Sequence, residues 1–225
     1  MLGGNKIGKR FTWIEINLEN LSYNLSQFKS LLKNKDTKIM AVVKANAYGH
    51  GAVEISKEAL KDGVYCLGVA LAEEGVELRK AGIGAPICIL GEIPDSAIKD
   101  AVKYDLTPSI SSAKKAKAIS KVSKSLGKTA NCHINIDTGM NRLGINFRDC
   151  VKLIKKILEL DYISIEGIFT HFSCASEKGN RFTETQWKRF GEVLKELREL
   201  KKEIKISHCC NSAAFLKYRK MEMDM

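Results

Sequence analysis

The chain has 225 residues, enough for one large domain or two small ones with a substantial buried core. Its 44% hydrophobic and 28% charged residues are ordinary for a globular protein, and no apolar run is long enough to span a bilayer. The net charge of +11 comes largely from lysines on predicted helices, without the arginine-rich tract or aromatic stacking pattern that would indicate nucleic-acid binding.

The seven cysteines are an odd number, which does not suggest a disulfide framework. The neighbouring His208, Cys209 and Cys210 are poorly spaced for tetrahedral zinc, and we expect no metal site there. The first residues, Met1 to Lys6, are followed by charged residues and not by the apolar segment of a secretion signal, so the expected compartment is the cytoplasm. Three cysteines lie inside apolar strand-like runs and are expected to be buried and reduced: Cys66, Cys88 and Cys132.

Short β-branched runs alternate with longer amphipathic segments, which is typical of strand–helix units and a parallel sheet. A first strand is predicted at 12–18 and a first helix at 20–33. Barrel-type strands follow at 37–43, 64–70, 86–90, 105–109, 130–136, 163–170 and 204–208. The helices between them are predicted at 51–61, 71–81, 95–103, 111–126, 147–160 and 181–202. The class is α/β, and the pattern predicts an eight-stranded (β/α) barrel that lacks one strand, because a closed barrel typically has about 250 residues.

The strand at 37–43 ends in Lys44, which is followed by a turn of small residues. Active sites of barrels form at these carboxyl ends of the strands. A lysine against low-dielectric walls has its ammonium form disfavoured, so it can act as a nucleophile and a proton carrier. The alternative is a lysine whose amine simply extends into water.

The turn after Lys44 contains features suited to an anion. Gly49 and Gly51 flank His50 and allow the backbone to approach a ligand closely, and Tyr48 supplies a hydroxyl. These features indicate a phosphate site at the same rim, although an ordinary turn with a buried tyrosine has the same pattern.

Polar residues follow three later strands as well. Arg142 lies in the loop after the strand at 130–136, and His171 follows the next strand. Asn211 and Ser212 follow the last strand, where they can cap a helix whose amino end would bind phosphate. A surface arginine and simple helix capping are the alternatives. Because all these groups fall at the same end of successive strands, we expect one ring-sized, anionic, carbonyl-bearing ligand.

Taken together, these segments resemble the alanine racemase family of enzymes that use pyridoxal 5′-phosphate (PLP), and the resemblance extends over nearly the whole chain. The family has a PLP-binding (β/α)8 barrel. The residues that carry the resemblance are Val42-Val43-Lys44-Ala45-Asn46-Ala47-Tyr48-Gly49-His50-Gly51, Asp137-Thr138-Gly139-Met140, Arg142-Leu143-Gly144, Thr170-His171-Phe172 and Asn211-Ser212-Ala213-Ala214.

The resemblance implies a role for each of these side chains. Lys44 would form the internal aldimine with PLP and act as one of two catalytic bases. Tyr48 and Ser212 would bind the phosphate. Arg142 would bond the phenolic oxygen of the cofactor, and His171 would pack against its ring.

The resemblance also implies supporting residues around the cofactor. Asn211 is assigned to the cofactor site, and His208 to its support. Many members of the family have a carbamylated lysine at the position of Asn135, seven residues before Arg142. Because asparagine is uncharged, the hypothesis for this chain is a chloride ion near Asn135 and Arg142.

The resemblance further implies that 1–18 is a segment that joins a separate C-terminal β-domain, and that 19–225 is the incomplete barrel. Relatives continue past Met225 into an eighth strand whose arginine faces the pyridine nitrogen. Their opposite base is a tyrosine from the partner subunit, so a homodimer is expected for the full-length parent. We therefore expect these residues alone to have no appreciable activity, and the edges at 37–43 and 204–208 to be unpaired, with marginal stability.

The implied reaction interconverts L-alanine and D-alanine by two-base proton transfer, which supplies D-alanine for peptidoglycan precursors. One alternative is a non-catalytic PLP-binding protein, which would share the barrel and have a similar length. The turn motif after Lys44 argues against it, because that motif belongs to racemases. A racemase of another amino acid, such as serine, or a decarboxylase on the same barrel, is the other alternative.

Overall fold

The computed structural model describes residues 12–199 and 204–225. Its strands are β1 (Met40–Val42), β2 (Cys66–Val69), β3 (Ile87–Ile89), β4 (Thr107–Ile110), β5 (Ala130–Asp137), β6 (Ile145–Asn146), β7 (Ile163–Thr170) and β8 (Ile206–His208). Its helices are α1 (Leu18–Leu31), α2 (Lys44–Tyr48), α3 (Ala52–Lys61), α4 (Ala72–Lys80), α5 (Ile98–Lys103), α6 (Ala113–Ser125), α7 (Cys150–Leu158), α8 (Phe182–Glu199) and α9 (Ser212–Lys217). Among these helices, none combines the length and the apolar character that a membrane crossing requires.

The strands form one curled parallel sheet in the order β1-β2-β3-β4-β5-β7-β8, with the short β6 paired to β5. Each pair of successive barrel strands is joined by a helix on the outside, as right-handed crossover connections require. The α/β class and the seven predicted barrel strands are therefore confirmed.

Both faces of the central strands β2 and β3 are covered. In β2 and β3 every residue is buried, because helices cover one face and the barrel interior covers the other. Leu67, Ile87 and Ile89 are fully buried. Removing such an aliphatic side chain from water stabilises the fold by about 1.5–3 kcal/mol.

The start of the chain differs from the prediction of a strand at 12–18. Residues 12–17 have no regular secondary structure, and α1 already begins at Leu18, where the Asn17 side chain accepts a hydrogen bond from the Asn20 backbone N–H at 3.0 Å. A strand requires a neighbour to pair with, and Trp13 and Ile14 are 71% and 76% exposed. Residues 1–11, the rest of the predicted first segment, lie outside the described residues.

The two edges of the sheet are linked at their amino ends by the last residues of the chain. The Lys38 backbone N–H donates to the Asp224 carbonyl oxygen at 2.9 Å, and the Asp224 N–H donates to the Ser207 carbonyl oxygen at 3.1 Å. The Ser207 backbone N–H and hydroxyl also donate to the Asp224 carboxylate, at 2.8 and 2.6 Å. The expectation of unpaired edges is therefore corrected there, because Asp224 satisfies backbone groups of both edges.

A histidine pair lies between β5 and β8 inside the sheet. His133 Nδ1 lies 3.0 Å from His208 Nε2, and the His208 ring stacks on Phe169 with 4.8 Å between ring centroids. Burial lowers the pKa of His133 to about 4. Burial, followed by the charge of His133, lowers the pKa of His208 well below its ordinary value. Both rings are therefore neutral at neutral pH, which allows one ring to donate to the other.

The buried histidine makes stability depend on pH. Because the folded-state pKa of His133 lies below its ordinary value of 6.5, the unfolded chain binds more protons between these two values. The free energy of unfolding is therefore expected to fall as the pH falls, by about 1 kcal/mol from His133 alone between about pH 7 and about pH 5.5. Urea unfolding at a series of pH values measures this slope.

The variant His133→Gln should have a shallower slope over the same range, because it cannot take up the proton. The matched control is Asn131→Gln, an exposed change on the same strand that removes no titrating group. If the free energy of unfolding depended equally on pH in the wild type and in His133→Gln, the lowered pKa of His133 in the folded state would be contradicted.

Candidate functional site

A cavity of about 700 Å³ includes the carboxyl ends of the barrel strands, and its lining continues to Lys38 before β1 and to Glu222 near the end of the chain. This volume falls within the range of small-molecule sites. It receives side chains from the ends of β1, β5, β7 and β8, because parallel strands of a barrel all end on the same rim. All eight residues singled out from the sequence line this cavity: Lys44, Tyr48, Asn135, Arg142, His171, His208, Asn211 and Ser212.

Lys44 stands at the end of β1, at the start of a left-handed turn. The four residues from Ala45 to Tyr48 have φ values of 51 to 55°. For a residue with a Cβ this conformation costs about 1–2 kcal/mol, so a run of four needs support from its surroundings. The Lys44 Nζ lies 5.8 Å from the centre of the Tyr48 ring, so the turn directs both side chains to the cavity.

Three side chains hold this turn. The Asn46 Oδ1 accepts the Ala52 N–H at 2.7 Å, which caps α3, and His50 Nδ1 lies 2.9 Å from the Ala47 carbonyl oxygen. The Glu74 Oε1 accepts the Ala45 N–H at 2.7 Å.

Sequence reasoning did not identify Glu74. The available signal was its position as the third residue of a helix that follows a strand, where carboxylates commonly accept backbone N–H groups.

The loop that carries Arg142 folds back on the end of β5. The Asp137 carboxylate accepts the N–H groups of Gly139 and Asn141 at 2.9 and 3.0 Å. Gly144 has a φ of 114°, and a Cβ there would lie 2.8 Å from the Asp137 nitrogen, so the loop can approach β5 only with glycine at this position. The result is an exposed arginine side chain at the edge of the cavity.

A series of buried hydrogen bonds holds the backbone at His171. The Gln186 Nε2 donates to the His171 carbonyl oxygen at 3.1 Å and to the Thr138 hydroxyl at 3.2 Å. The Thr138 and Thr170 hydroxyls lie 2.8 Å apart, and Thr170 donates to the Ile136 carbonyl oxygen at 2.8 Å. These contacts join the ends of β5 and β7 to α8. Sequence reasoning missed Gln186, because nothing in the local pattern of an amphipathic helix distinguishes it.

Two positive groups, Lys44 and Arg142, act on His171 in the cavity. The pKa of His171 is lowered, first because the protein displaces water from its ring and then because of the positive charges of Arg142 and Lys44. These three groups are therefore close enough to influence one another, and His171 is neutral at neutral pH. Such a cavity favours an anionic ligand.

The remaining predicted residues follow β8, which is the edge strand at the other end of the sheet from β1 and Lys44. The Asn211 Oδ1 accepts the Ala214 N–H at 2.9 Å, which confirms the predicted cap of the helix after β8. The Asn211 Nδ2 donates to the Phe172 carbonyl oxygen at 3.3 Å, so the cap is also tied to the end of β7. Ser212 is the first residue of α9 and lines the cavity.

The site therefore offers a primary amine, two hydroxyls, a guanidinium group and a neutral imidazole in one cavity. Amines bind carbonyl groups covalently, whereas hydroxyls and guanidinium groups bind phosphate and phenolate oxygens. This set of donors is suited to a phosphorylated ring that carries an aldehyde.

Comparison with known proteins agrees with this geometry. The alanine racemase of Halothermothrix orenii is 41% identical over 221 residues, which are 98% of this chain and 58% of that protein. Alanine racemase 1 of Oceanobacillus iheyensis is 42% identical over 217 residues, with 96% of this chain and 57% of that protein covered. The chain thus spans just over half the length of these relatives.

Solved structures show the same likeness. The alanine racemase of Clostridium difficile 630 in complex with cycloserine superposes with a TM-score of 0.91 at 41% identity, covering 93% of this chain and 58% of that one. The alanine racemase of Bacillus anthracis with bound L-Ala-P gives a TM-score of 0.90 at 35% identity, covering 96% of this chain and 56% of that one. The family model described as "Alanine racemase, N-terminal domain" matches residues 16–225. The chain therefore belongs to the alanine racemase N-terminal domain family.

Proposed function

We propose that this chain is the cofactor-binding barrel of a PLP-dependent alanine racemase, and that the Lys44 Nζ binds the cofactor covalently. The observation that carries the proposal is the convergence of Lys44 with Tyr48, Arg142, His171 and Ser212 on one cavity of about 700 Å³. Family membership and the racemase names of the relatives support it.

The residues present fit the cofactor. Tyr48 and Ser212 supply hydroxyls for the phosphate, and Arg142 supplies a guanidinium group for the phenolic oxygen. His171 supplies a neutral ring surface to lie against the pyridine. Asn211 and His208 also line the cavity, where Asn211 caps α9 and His208 is hydrogen-bonded to His133.

When bound, PLP stabilises negative charge at the Cα of an amino acid. The Lys44 Nζ is then the group that removes or returns the Cα proton on one face of the substrate.

The complete reaction is proposed for the full-length protein and not for these residues alone. The proposed substrate is alanine, and the opposite base is proposed to come from the part of the relatives that this chain does not span, in a homodimer. The first 18 residues are proposed to join the β-domain there. The exposure of Trp13 and Ile14 supports this, because apolar side chains at a free surface are suited to a contact. The proposed compartment is the cytoplasm.

The two alternative functions that the sequence left open differ from this proposal. A non-catalytic PLP-binding protein would hold the cofactor with the same residues, and a racemase of serine would use the same barrel. The relatives and solved structures named above are alanine racemases, which favours the enzyme and its alanine substrate.

An anion site beside Arg142 is also proposed. Among residues 12–199 and 204–225, no carboxylate forms an ion pair with Arg142, and Asn135, which lines the same cavity, is buried and uncharged. A chloride ion between the Asn135 amide and the Arg142 guanidinium would supply the missing negative charge.

The first prediction tests the covalent link. The purified chain mixed with PLP and then reduced with borohydride is expected to carry the cofactor on Lys44, because its amine faces the other cofactor-binding groups. Lys44→Ala should abolish the label, which mass spectrometry of peptides measures. The matched control is Lys38→Ala, which removes a lysine from the same cavity and should keep the label.

An unlabelled wild type, or a label that persists in Lys44→Ala, would refute the proposed role of Lys44. The same samples should show no appreciable interconversion of L- and D-alanine, since the opposite base is proposed to lie elsewhere. Interconversion by the 225 residues that depends on Lys44 would refute that second point.

The second prediction tests the anion. At constant ionic strength, replacing acetate by chloride should raise the thermal unfolding midpoint, because binding to the folded state alone stabilises it. Asn135→Asp should lose this dependence, since its carboxylate would neutralise Arg142 directly. Asn131→Asp, an exposed change on the same strand, should keep it. The proposal fails if chloride has no effect on the wild type.

A further inference from the structure

The carboxylate of Glu74 lies between the ends of β1 and β2 and contacts the backbone of both loops. One oxygen, Oε1, accepts the Ala45 N–H at 2.7 Å. The other, Oε2, accepts the N–H groups of Ala70 and Leu71, at 2.7 and 3.1 Å. One side chain thus joins the loop after Lys44 to the start of α4.

The contact with Ala45 falls at the point where the turn needs support. Ala45 follows Lys44 directly and is the first of four consecutive residues with positive φ, and its side chain is exposed, so packing does not hold it there. A hydrogen bond to a carboxylate is stronger than one to a neutral acceptor. The Glu74 contact therefore orients the peptide group that connects Lys44 to the turn.

Helix capping alone does not account for this arrangement. Oε2 already accepts the N–H groups at the start of α4, which is the usual contact of a carboxylate at this position. Oε1 reaches 29 residues back along the chain to a different loop. This contact of Oε1 with the Ala45 N–H connects Glu74 to the Lys44 site.

We propose that Glu74 is a positioning residue for Lys44, which holds the left-handed turn so that the Lys44 amine faces the cofactor cavity. The proposal rests on the proposed function, since it concerns the attachment of PLP to Lys44. Glu74 itself does not touch the cofactor in this assignment; it acts through the Ala45 N–H.

The test compares Glu74→Gln with Glu73→Gln in the full chain. Glutamine replaces one carboxylate oxygen by an NH2 group, so at least one of the three backbone N–H groups loses its acceptor. The PLP concentration that gives half-maximal borohydride labelling of Lys44 should rise about tenfold or more in Glu74→Gln. Glu73 lies in the same helical turn and is exposed, so Glu73→Gln should match the wild type.

Hydrogen exchange without cofactor gives an independent measurement. The Ala45 amide of the wild type should be protected although the residue is exposed, and Glu74→Gln should lose that protection. This measurement on the wild type does not depend on whether a variant folds. An Ala45 amide that exchanges at the rate of an unstructured peptide would overturn the proposal.

A rescue experiment distinguishes the positioning of Lys44 by Glu74 from the capping of α4 by Glu74. Glycine adopts positive φ without strain, so Ala45→Gly in the Glu74→Gln background should restore part of the labelling affinity. It should not restore affinity if Glu74 acted only at α4.

Equal labelling of Glu74→Gln and Glu73→Gln, or a double variant no better than Glu74→Gln, would overturn the role of Glu74. An unlabelled wild type would instead overturn the proposed function, so the two failures are distinguishable.

Discussion

The left-handed turn after β1 is the constraint on which the site depends, because it sets the direction of the Lys44 side chain. A β-strand that runs into a barrel rim normally continues outward to a helix, and a lysine there extends to water. Here four positive φ values reverse the chain within one turn, and the cost of that conformation is offset by hydrogen bonds to side chains. Lys44 thus directly precedes a turn that side-chain hydrogen bonds hold in place.

The rest of the rim is built on polar groups that are buried and paired. The hydrogen bonds from Gln186 through Thr138 to Thr170 connect two strand ends with a helix, and the His133–His208 pair lies deeper in the sheet. A buried polar group without a partner costs about 1–3 kcal/mol, so these contacts favour one arrangement of the strand ends over others. Burial lowers the pKa of both His133 and His171, so both imidazoles are neutral, and Lys44 and Arg142 are the positive groups that act on His171.

The opposite end of the sheet is held by the last residues of the chain. Asp224 bonds to Lys38 and Ser207 on either side of the gap between the edges, and the Glu222 carboxylate accepts the backbone N–H groups of Lys33 and Asn34 at 3.1 Å. Edge strands with free backbone groups would favour association with other chains. The described residues therefore bring the two edges together near the amino ends of the strands, where Lys38 and Glu222 also line the cavity.

The sequence by itself determined the α/β class, the seven barrel strands and, with the help of the family resemblance, eight of the residues that line the cavity. It did so because the strand periodicity is local, and because parallel strands of a barrel bring their carboxyl ends to one rim whatever their detailed packing. Only the tertiary structure decided the left-handed turn, the contacts of Glu74 and Gln186, and the link through Asp224. The contact of Glu74 with Ala45 joins residues 29 positions apart, and that of Gln186 with Thr138 joins residues 48 positions apart. A local sequence pattern carries no information about such pairs. The first strand predicted at 12–18 failed to form in the described residues for the same physical reason, since a strand is defined by a neighbour that its own sequence does not contain.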